Sequence, residues 1–389
     1  MKRIDLIATA AFGLESEVAY ELRKLGYEDQ QVEGGRITFR GDVRAIARTN
    51  LWLRTADRVQ LRMGEFPART FDELYDQVRA LPWADILPED ACFPVDGKSV
   101  KSQLSSVPAV QGVVKKAIVD ALAARYQRKV LPETGARYRC QVALLKDVAT
   151  LTIDTTGDGL HKRGYRPIVA PAPLKETLAA GLILVSRWHP DRPFADPLCG
   201  SGTLPLEAAM IGLNRAPGRY RGFDAEAWPL VPSEVWQEAR EEADDLLQRD
   251  RKLQIFGWDS SPEAIKLARF HAEQAGLADH VRFDVRSVKD FQLPNEPEGG
   301  SYGFIVTNPP YGERLGEEKE VEQLYREMGE AFARYPTWSA FVLTSFERFE
   351  HFYGKPAAKK RKLYNGRIRC DLYQYPGPRR PRPQVPAEA

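Results

Sequence analysis

Asp196-Pro197-Leu198-Cys199-Gly200-Ser201-Gly202-Thr203-Leu204 is the stretch on which the fold turns. It lies between an apolar strand predicted at Pro193 to Asp196 and a helix predicted from Thr203. Glycines at 200 and 202 allow a sharp turn and close approach to a ligand. The amides that open the next helix can receive an anion. The third glycine of a dinucleotide GxGxxG is missing, and no Lys follows as in a GxxxxGK[ST] phosphate loop. Such a loop suits the amino-acid end of S-adenosylmethionine, with Asp196 accepting from the cofactor's ammonium. Asp196, Pro197, Leu198, Cys199, Gly200, Ser201, Gly202 and Thr203 are therefore candidate cofactor residues; taken alone, the loop could also be an ordinary glycine-rich turn.

Outward from this loop, helices alternate with short apolar strands. A helix from Leu174 to Trp188 precedes it. Strand Leu253 to Trp258, helix Pro262 to Ala275, strand Gly303 to Thr307, helix Lys319 to Tyr335 and strand Ala340 to Ser345 follow. This rhythm predicts an α/β doubly wound parallel sheet with its ligand crevice at the carboxyl ends of the strands. The second strand ends in Asp259-Ser260. An acid there can accept both ribose hydroxyls of a nucleotide-type cofactor, usually about 20 residues after the glycines. The delay is ascribed to an insertion, Asn214 to Arg251, whose acidic helix (Glu234, Glu238, Glu241, Glu242, Asp244, Asp245) is expected to loop outward. A plain helix N-cap is the alternative role for Asp259.

The strand at Gly303 runs into Asn308-Pro309-Pro310-Tyr311. Two prolines fix an extended turn that leaves carbonyls at the sheet edge. An aromatic amine is a poor nucleophile, because its lone pair is delocalised into the ring. The Asn308 oxygen and a proline carbonyl can hold such an NH2 group with its lone pair aimed at a sulfonium methyl, and they stabilise the charge that grows on nitrogen. Tyr311 offers a face for a flipped-out base. Asn308, Pro309, Pro310 and Tyr311 are the catalytic candidates, with Asn308 also counted among the cofactor residues. Adenine N6, cytosine N4 and guanine N2 all satisfy this chemistry.

Bulk properties narrow the class. The 389 residues exceed one ordinary core and suggest two or three domains. A 43% hydrophobic and 28% charged composition is that of a soluble globular protein. No apolar run approaches the roughly 18 residues of a membrane helix, and Glu15 and Glu17 break the short apolar run at the N-terminus, against a signal peptide. The four cysteines form no CxxC pair, which points away from disulfides or a metal site and towards the cytoplasm. Net charge is only +2, so nucleic-acid binding would have to rest on local clusters.

The front of the chain reads as two α+β units. Residues 1–55 give strand Ile4 to Thr9, helix Leu14 to Leu25, strand Arg36 to Phe39 and a helix N-capped by Asp42. Residues 56–160 give helices Thr70 to Ala80 and Pro108 to Tyr126, then strands Tyr138 to Leu145 and Val148 to Ile153 joined by a Lys146-Asp147 turn. Arg166 to Pro173 reads as a linker, 161–376 as the doubly wound domain, and 377–389 as a disordered Pro-rich tail.

Several segments together resemble the bacterial THUMP-domain class I RNA methyltransferases, often described as N6-adenine-specific DNA methylases and related to the large-subunit rRNA guanine-N2 methyltransferases. They are Ala8 to Glu15, Asn50 to Arg58, Gly97 to Ser102, Leu160 to Arg166, Ala172 to Ala180 and Asn308 to Arg314. The resemblance implies a ferredoxin-like N-terminal piece, a THUMP RNA-binding domain and a Rossmann-like methyltransferase domain. It also implies that Pro173, Leu174, Lys175 and Glu176 border the cofactor. Many relatives place an acid near the adenine amine after the third strand; here the register puts Ser287 and Val288 at that position.

Basic residues cluster where RNA could lie. Lys98, Lys101, Lys162, Arg163 and Arg166 are the RNA-binding candidates, and a second run spans Lys355, Lys359 to Lys362, Arg367 and Arg369. Methylation of guanosine N2 in 23S rRNA is the expected function. A DNA adenine-N6 methyltransferase, a tRNA guanine-N2 methyltransferase and a non-catalytic RNA-binding assembly protein are the alternatives.

Overall fold

A computed structural model describes residues 3–167, 174–292, 302–310 and 318–379. The chain forms two compact units, each built on a seven-stranded sheet. The first comprises Met1–Ala10, Val18–Lys162 and Ala216–Leu246; the second comprises Ala11–Glu17, Arg163–Arg215 and Leu247–Ala389.

In chain order the front of the molecule runs β1 (Ile4–Ala10), α1 (Glu15–Lys24), β2 (Gln30–Glu33), β3 (Arg36–Gly41), α2 (Val43–Trp52), β4 (Ala56–Pro67) and α3 (Phe71–Arg79). Then come β5 (Val95–Val100), α4 (Val107–Tyr126), β6 (Cys140–Leu145) and β7 (Val148–Asp154). The sheet order is β2-β3-β1-β4-β7-β6-β5. Neighbours are antiparallel except β5 and β6. Strand alternation sends Leu6, Ala8, Ile37, Phe39, Val59, Leu61, Val142, Leu151 and Ile153 into one core. Residues between them face the other way and pair as polar groups: Gln60 donates to Gln141 at 2.6 Å, and Arg36 meets Glu65 at 3.1 Å. Lys146 and Asp147 both have positive φ, 52° and 63°, as a tight I′ hairpin turn requires. Asp42 caps α2 as expected, accepting from the Arg44 and Ala45 amides.

The long strand β4 and the short β5 were not foreseen, nor was the place of the acidic insertion. Its helix, α7 (Ser233–Asp245), does not loop outward. Trp236, Ala239 and Ala243 are buried in the first unit's core, while Glu242 grips Arg48 of α2 through both oxygens at 2.7 Å.

The second unit runs α5 (Glu176–Ser186), β8 (Phe194–Asp196), α6 (Thr203–Gly212), β9 (Ile255–Asp259), α8 (Pro262–Gln274), β10 (Arg282–Val285) and β11 (Phe304–Thr307). It ends with α9 (Glu318–Ala333), β12 (Ser339–Thr344), α10 (Phe349–Tyr353), β13 (Lys359–Asn365) and β14 (Ile368–Tyr375). The order is β10-β9-β8-β11-β12-β14-β13. The first five strands are parallel, as the doubly wound reading of the sequence predicts; β14 runs antiparallel to β12, and β13, antiparallel to β14, returns to the common direction. Apolar side chains enter two cores: Phe194, Ile255, Val306 and Leu343 join one, and Ala195, Trp258, Ile305 and Val342 join the other. A sheet covered on both faces needs such near-continuous apolar strands. The basic run from Lys359 is not a loose charged segment but strand β13, paired along its length with β14. Gly377, placed by the sequence in the disordered tail, still donates to Ser339 Oγ at 3.0 Å; residues from 380 lie outside the described ones.

Candidate active site

The chain order in the second sheet reverses between β8 and β11, and the carboxyl ends of strands at such a switch point are where open α/β sheets bind their ligands. Asp196 ends β8 with 2% of its surface exposed. Its Oδ1 accepts from Thr307 Oγ1 at 2.6 Å and from the Leu198 amide at 3.2 Å. Thr307 had no role in the sequence reading; its position at a strand end next to Asn308 is the one local signal that could have found it. Burial pushes the Asp196 carboxyl up to about 7, and the nearby charge of Asp259 adds to this, while the Thr307 hydroxyl and Leu198 amide oppose it. A buried carboxylate poised in this way fits a cationic partner.

The glycine-rich turn is held from β9. Asp259 Oδ2 accepts from the Gly200 amide at 2.9 Å, and Oδ1 accepts from the Ser261 amide at 2.9 Å. Each oxygen keeps further lone-pair capacity for a ligand hydroxyl. Ser261, not Asp259, is the N-cap of α8, which removes the plain-cap alternative for Asp259. Gly202 has φ +83°, and a Cβ there would meet Phe283 Cζ at 2.9 Å; at Gly200, φ is +52° and the space beside the backbone is open. The first glycine of the pair therefore leaves room, and the second is needed for both conformation and packing. Pro197, Cys199 and Thr203 are buried and Leu198 is half-buried, so they form the turn's wall; Ser201 is half-buried and Ser260 exposed.

Ser287 precedes the short turn Val288–Asp290 at the end of β10, beside the end of β9. Val288 is 3% exposed within the core that holds Trp258 and Phe291. Leu174 is buried, Lys175 is the exposed N-cap of α5, and Glu176 is buried. Pro173 lies outside the described residues, as do Tyr311 and residues 312–314.

Asn308, Pro309 and Pro310 leave β11 at this switch point. Among the described residues, Asn308 Oδ1 is buried and has no hydrogen-bond partner. Native folds seldom leave a buried acceptor unused, so this oxygen is free to accept from a donor outside the described residues.

Two RNA-binding candidates are corrected. Arg163 is 4% exposed, and its guanidinium makes two 3.2 Å bonds to Glu207, which is fully buried. Its charge is already neutralised inside the unit. Arg166 has a side chain 7% exposed; it donates to Glu176 at 2.8 Å, to the Leu174 carbonyl at 3.2 Å and to Ser201 Oγ at 3.2 Å. It ties the start of α5 to the glycine-rich turn rather than facing solvent. Lys98, Lys101 and Lys162 are exposed on the first unit, with Lys162 3.0 Å from Asp158. Lys98 lines a 340 Å³ cavity with Thr9, Arg36, Gln60 and Gln141.

Three domain models match the chain: an RlmL ferredoxin-like domain at residues 5–60, a THUMP domain at 68–154, and an RMKL-like methyltransferase domain at 163–374. The chain is 51% identical over 377 residues to the Bacillus subtilis (strain 168) protein YpsC, named as a candidate RNA methyltransferase, with 96% of each chain covered. It is 38% identical to the ribosomal RNA large subunit methyltransferase K/L of Syntrophotalea carbinolica, covering 96% of this chain and 53% of that longer protein. The crystal structure of SMU.472, a candidate methyltransferase complexed with SAH, superposes with a TM-score of 0.91 at 48% identity, covering 98% of this chain and all of that one. With its methyltransferase domain matched over more than half its length, this chain belongs to the RMKL-like methyltransferase family.

Proposed function

We propose that this chain transfers the methyl group of S-adenosylmethionine to an exocyclic amine of a base in RNA, and specifically to N2 of a guanosine in 23S ribosomal RNA, in the cytoplasm. The observation that carries the reading is the buried Asn308 Oδ1, without a partner among the described residues, just past the carboxyl end of β11 at the β8–β11 switch point. S-adenosylmethionine supplies a methyl group activated on a sulfonium. The chain's own residues would hold this cofactor through Asp196 at the ammonium, Asp259 at the ribose, the Gly200–Gly202 turn at the carboxylate end, and Ser287 with Val288 near the adenine. The buried acid, the open space at Gly200 and the spare lone pairs of Asp259 fit that group.

Asn308 Oδ1 and the carbonyl of Pro309 accept from the target NH2 group. Both prolines keep these acceptors fixed, so no reorganisation is needed as positive charge grows on nitrogen. The amine becomes acidic only as the new N–C bond forms, so no strong base has to act first. Water can take the proton afterwards.

RNA is favoured over DNA by the THUMP domain match, and large-subunit RNA by the K/L relative. Purified protein, methyl-labelled S-adenosylmethionine and ribosomal RNA from a strain lacking the gene provide the test, read by nucleoside mass spectrometry. Labelled N2-methylguanosine in 23S rRNA is expected. Label in adenine of duplex DNA, or in transfer RNA only, would replace the substrate proposed. Tight cofactor binding with no label in any nucleic acid would leave a non-catalytic RNA-binding protein.

A further inference from the structure

The β13–β14 hairpin carries a surface that methyl transfer as described does not use. Strand β12 ends at Thr344, opposite Asp371. The hairpin continues three residues beyond that pair, to Asn365 opposite Ile368, which is about 10 Å of extra ladder. Because β13 runs parallel to β11 and β12, its tip stands at the same edge of the sheet at which Asn308 leaves β11. Three strand spacings, roughly 14 Å, separate β11 from β13.

One face of this tip combines rings and cations. Tyr364 lies opposite Arg369, with Lys362 two residues back on the same face. Phe12, 54% exposed, meets Tyr364 edge-on at 5.8 Å and 85°. Lys362 Nζ sits 5.8 Å from the Phe12 ring and 5.6 Å from the Tyr364 ring. Arg367 is exposed at the turn. Asp371 is the acid of this face, 3.8 Å from Arg369.

The exposed Phe12 is firmly mounted. Leu14 is fully buried in the second unit's core. Arg361, on the opposite face of β13, donates to the Gly13 carbonyl at 2.8 Å and to Ser16 Oγ at 2.7 Å, and pairs with buried Glu17 at 3.2 Å. A solvent-facing ring held in place beside cations is what an unstacked base needs.

We propose that Phe12, Lys362, Tyr364, Arg367 and Arg369 form a docking platform for a single-stranded RNA segment flanking the methylated base, with bases against the two rings and phosphates against the cations. A duplex would hide its base faces, so the strand must be unpaired. The platform rests on the RNA-substrate reading above.

Binding of a fluorescein-labelled oligouridylate to the full chain, followed across a salt series, tests it. Phe12→Ala should weaken binding about 5- to 150-fold, and Phe12→Tyr, which keeps the ring, should retain it. The triple variant Lys362→Ala, Arg367→Ala, Arg369→Ala should flatten the slope of log affinity against log salt by about 2. S-adenosylmethionine affinity, the check on folding, should be unchanged in all three. Wild-type affinity in Phe12→Ala together with a wild-type slope in the triple variant, or no oligouridylate binding by the unaltered chain, would overturn the platform. If the variants lose oligouridylate while the unaltered chain methylates no RNA, the platform stands and the substrate reading falls. If the unaltered chain methylates RNA and the variants match its KM, the platform falls alone.

Discussion

Two sheets of seven strands in one chain solve the same burial problem in opposite ways. The first, nearly all antiparallel, buries one face and leaves polar groups to pair along the other. The second, mostly parallel, is covered on both faces, so only its carboxyl edge can receive a ligand. Polar residues inside the second unit therefore carry a structural or chemical task, whereas partly exposed pairs on the first sheet's polar face, such as Arg36–Glu65, can be exchanged at little cost.

The strongest test of that contrast is the Arg163–Glu207 pair. Arg163→Met alone should strand a buried carboxylate and lower stability by about 3–5 kcal/mol in urea denaturation. The double change Arg163→Met, Glu207→Leu should recover most of the loss; failure to recover would show that the pair does more than neutralise itself. Next in size, Asn308→Ala should slow methyl transfer about 10²- to 10³-fold, with cofactor binding retained by calorimetry. Turnover near wild type would remove Asn308 from the chemistry. Asp259→Ala should weaken cofactor binding by about 1.5–3 kcal/mol, an effect read by the same calorimetry.

A smaller effect follows from Asp196, whose carboxyl is raised from 3.8 to about 7. In the folded, ligand-free unit the proton stays on until about pH 7, while the unfolded chain releases it near 3.8. The stability this group contributes is thus present below about pH 4 and lost as pH rises through about 7. A cationic cofactor needs the ionised form, so its affinity should rise roughly tenfold from about pH 6 to about pH 8. Asp196→Asn should remove that dependence in titration calorimetry; a pH-independent wild type would count against the ammonium contact. Least affected should be Arg36→Met on the polar face of the first sheet. Its partner Glu65 is about one-third exposed, so melting should report a loss of about 0–1 kcal/mol.

The same contrast explains what the sequence disclosed. Strands buried on both faces appear as unbroken apolar runs, so Phe304 to Thr307 and Ala340 to Thr344 were legible, as were the residues at their ends. In β4, by contrast, Arg58, Gln60 and Arg62 interrupt the apolar positions, and β5 contains Asp96, Gly97 and Lys98; these strands are fixed by partners far along the chain. Lys359-Lys360-Arg361-Lys362 resembles a solvated charge run until Leu372, Tyr373 and Tyr375 of β14 provide an edge to pair with. Within the site, Asp196, Asp259 and Asn308 are legible because each lies at the end of a predicted strand, and Gly200 and Gly202 because they fill the turn between a predicted strand and a predicted helix. The Thr307–Asp196 bond spans 111 residues and the Arg163–Glu207 pair 44, and no local pattern announces such matches. Arg163 and Arg166 were misread for this reason: a sequence shows a charge but not the carboxylate that neutralises it.

The interleaving of the two units has a consequence for synthesis. The first unit's core includes Trp236, Ala239 and Ala243, while the second claims Leu14 from near the beginning. On the ribosome, the earlier unit cannot close until some 80 residues after its last sheet strand have emerged, and Leu14 must wait still longer for its partners. A nascent chain paused between residues 162 and 216 would expose the apolar seat of α7, which makes this window the one in which a holdase chaperone has most to protect.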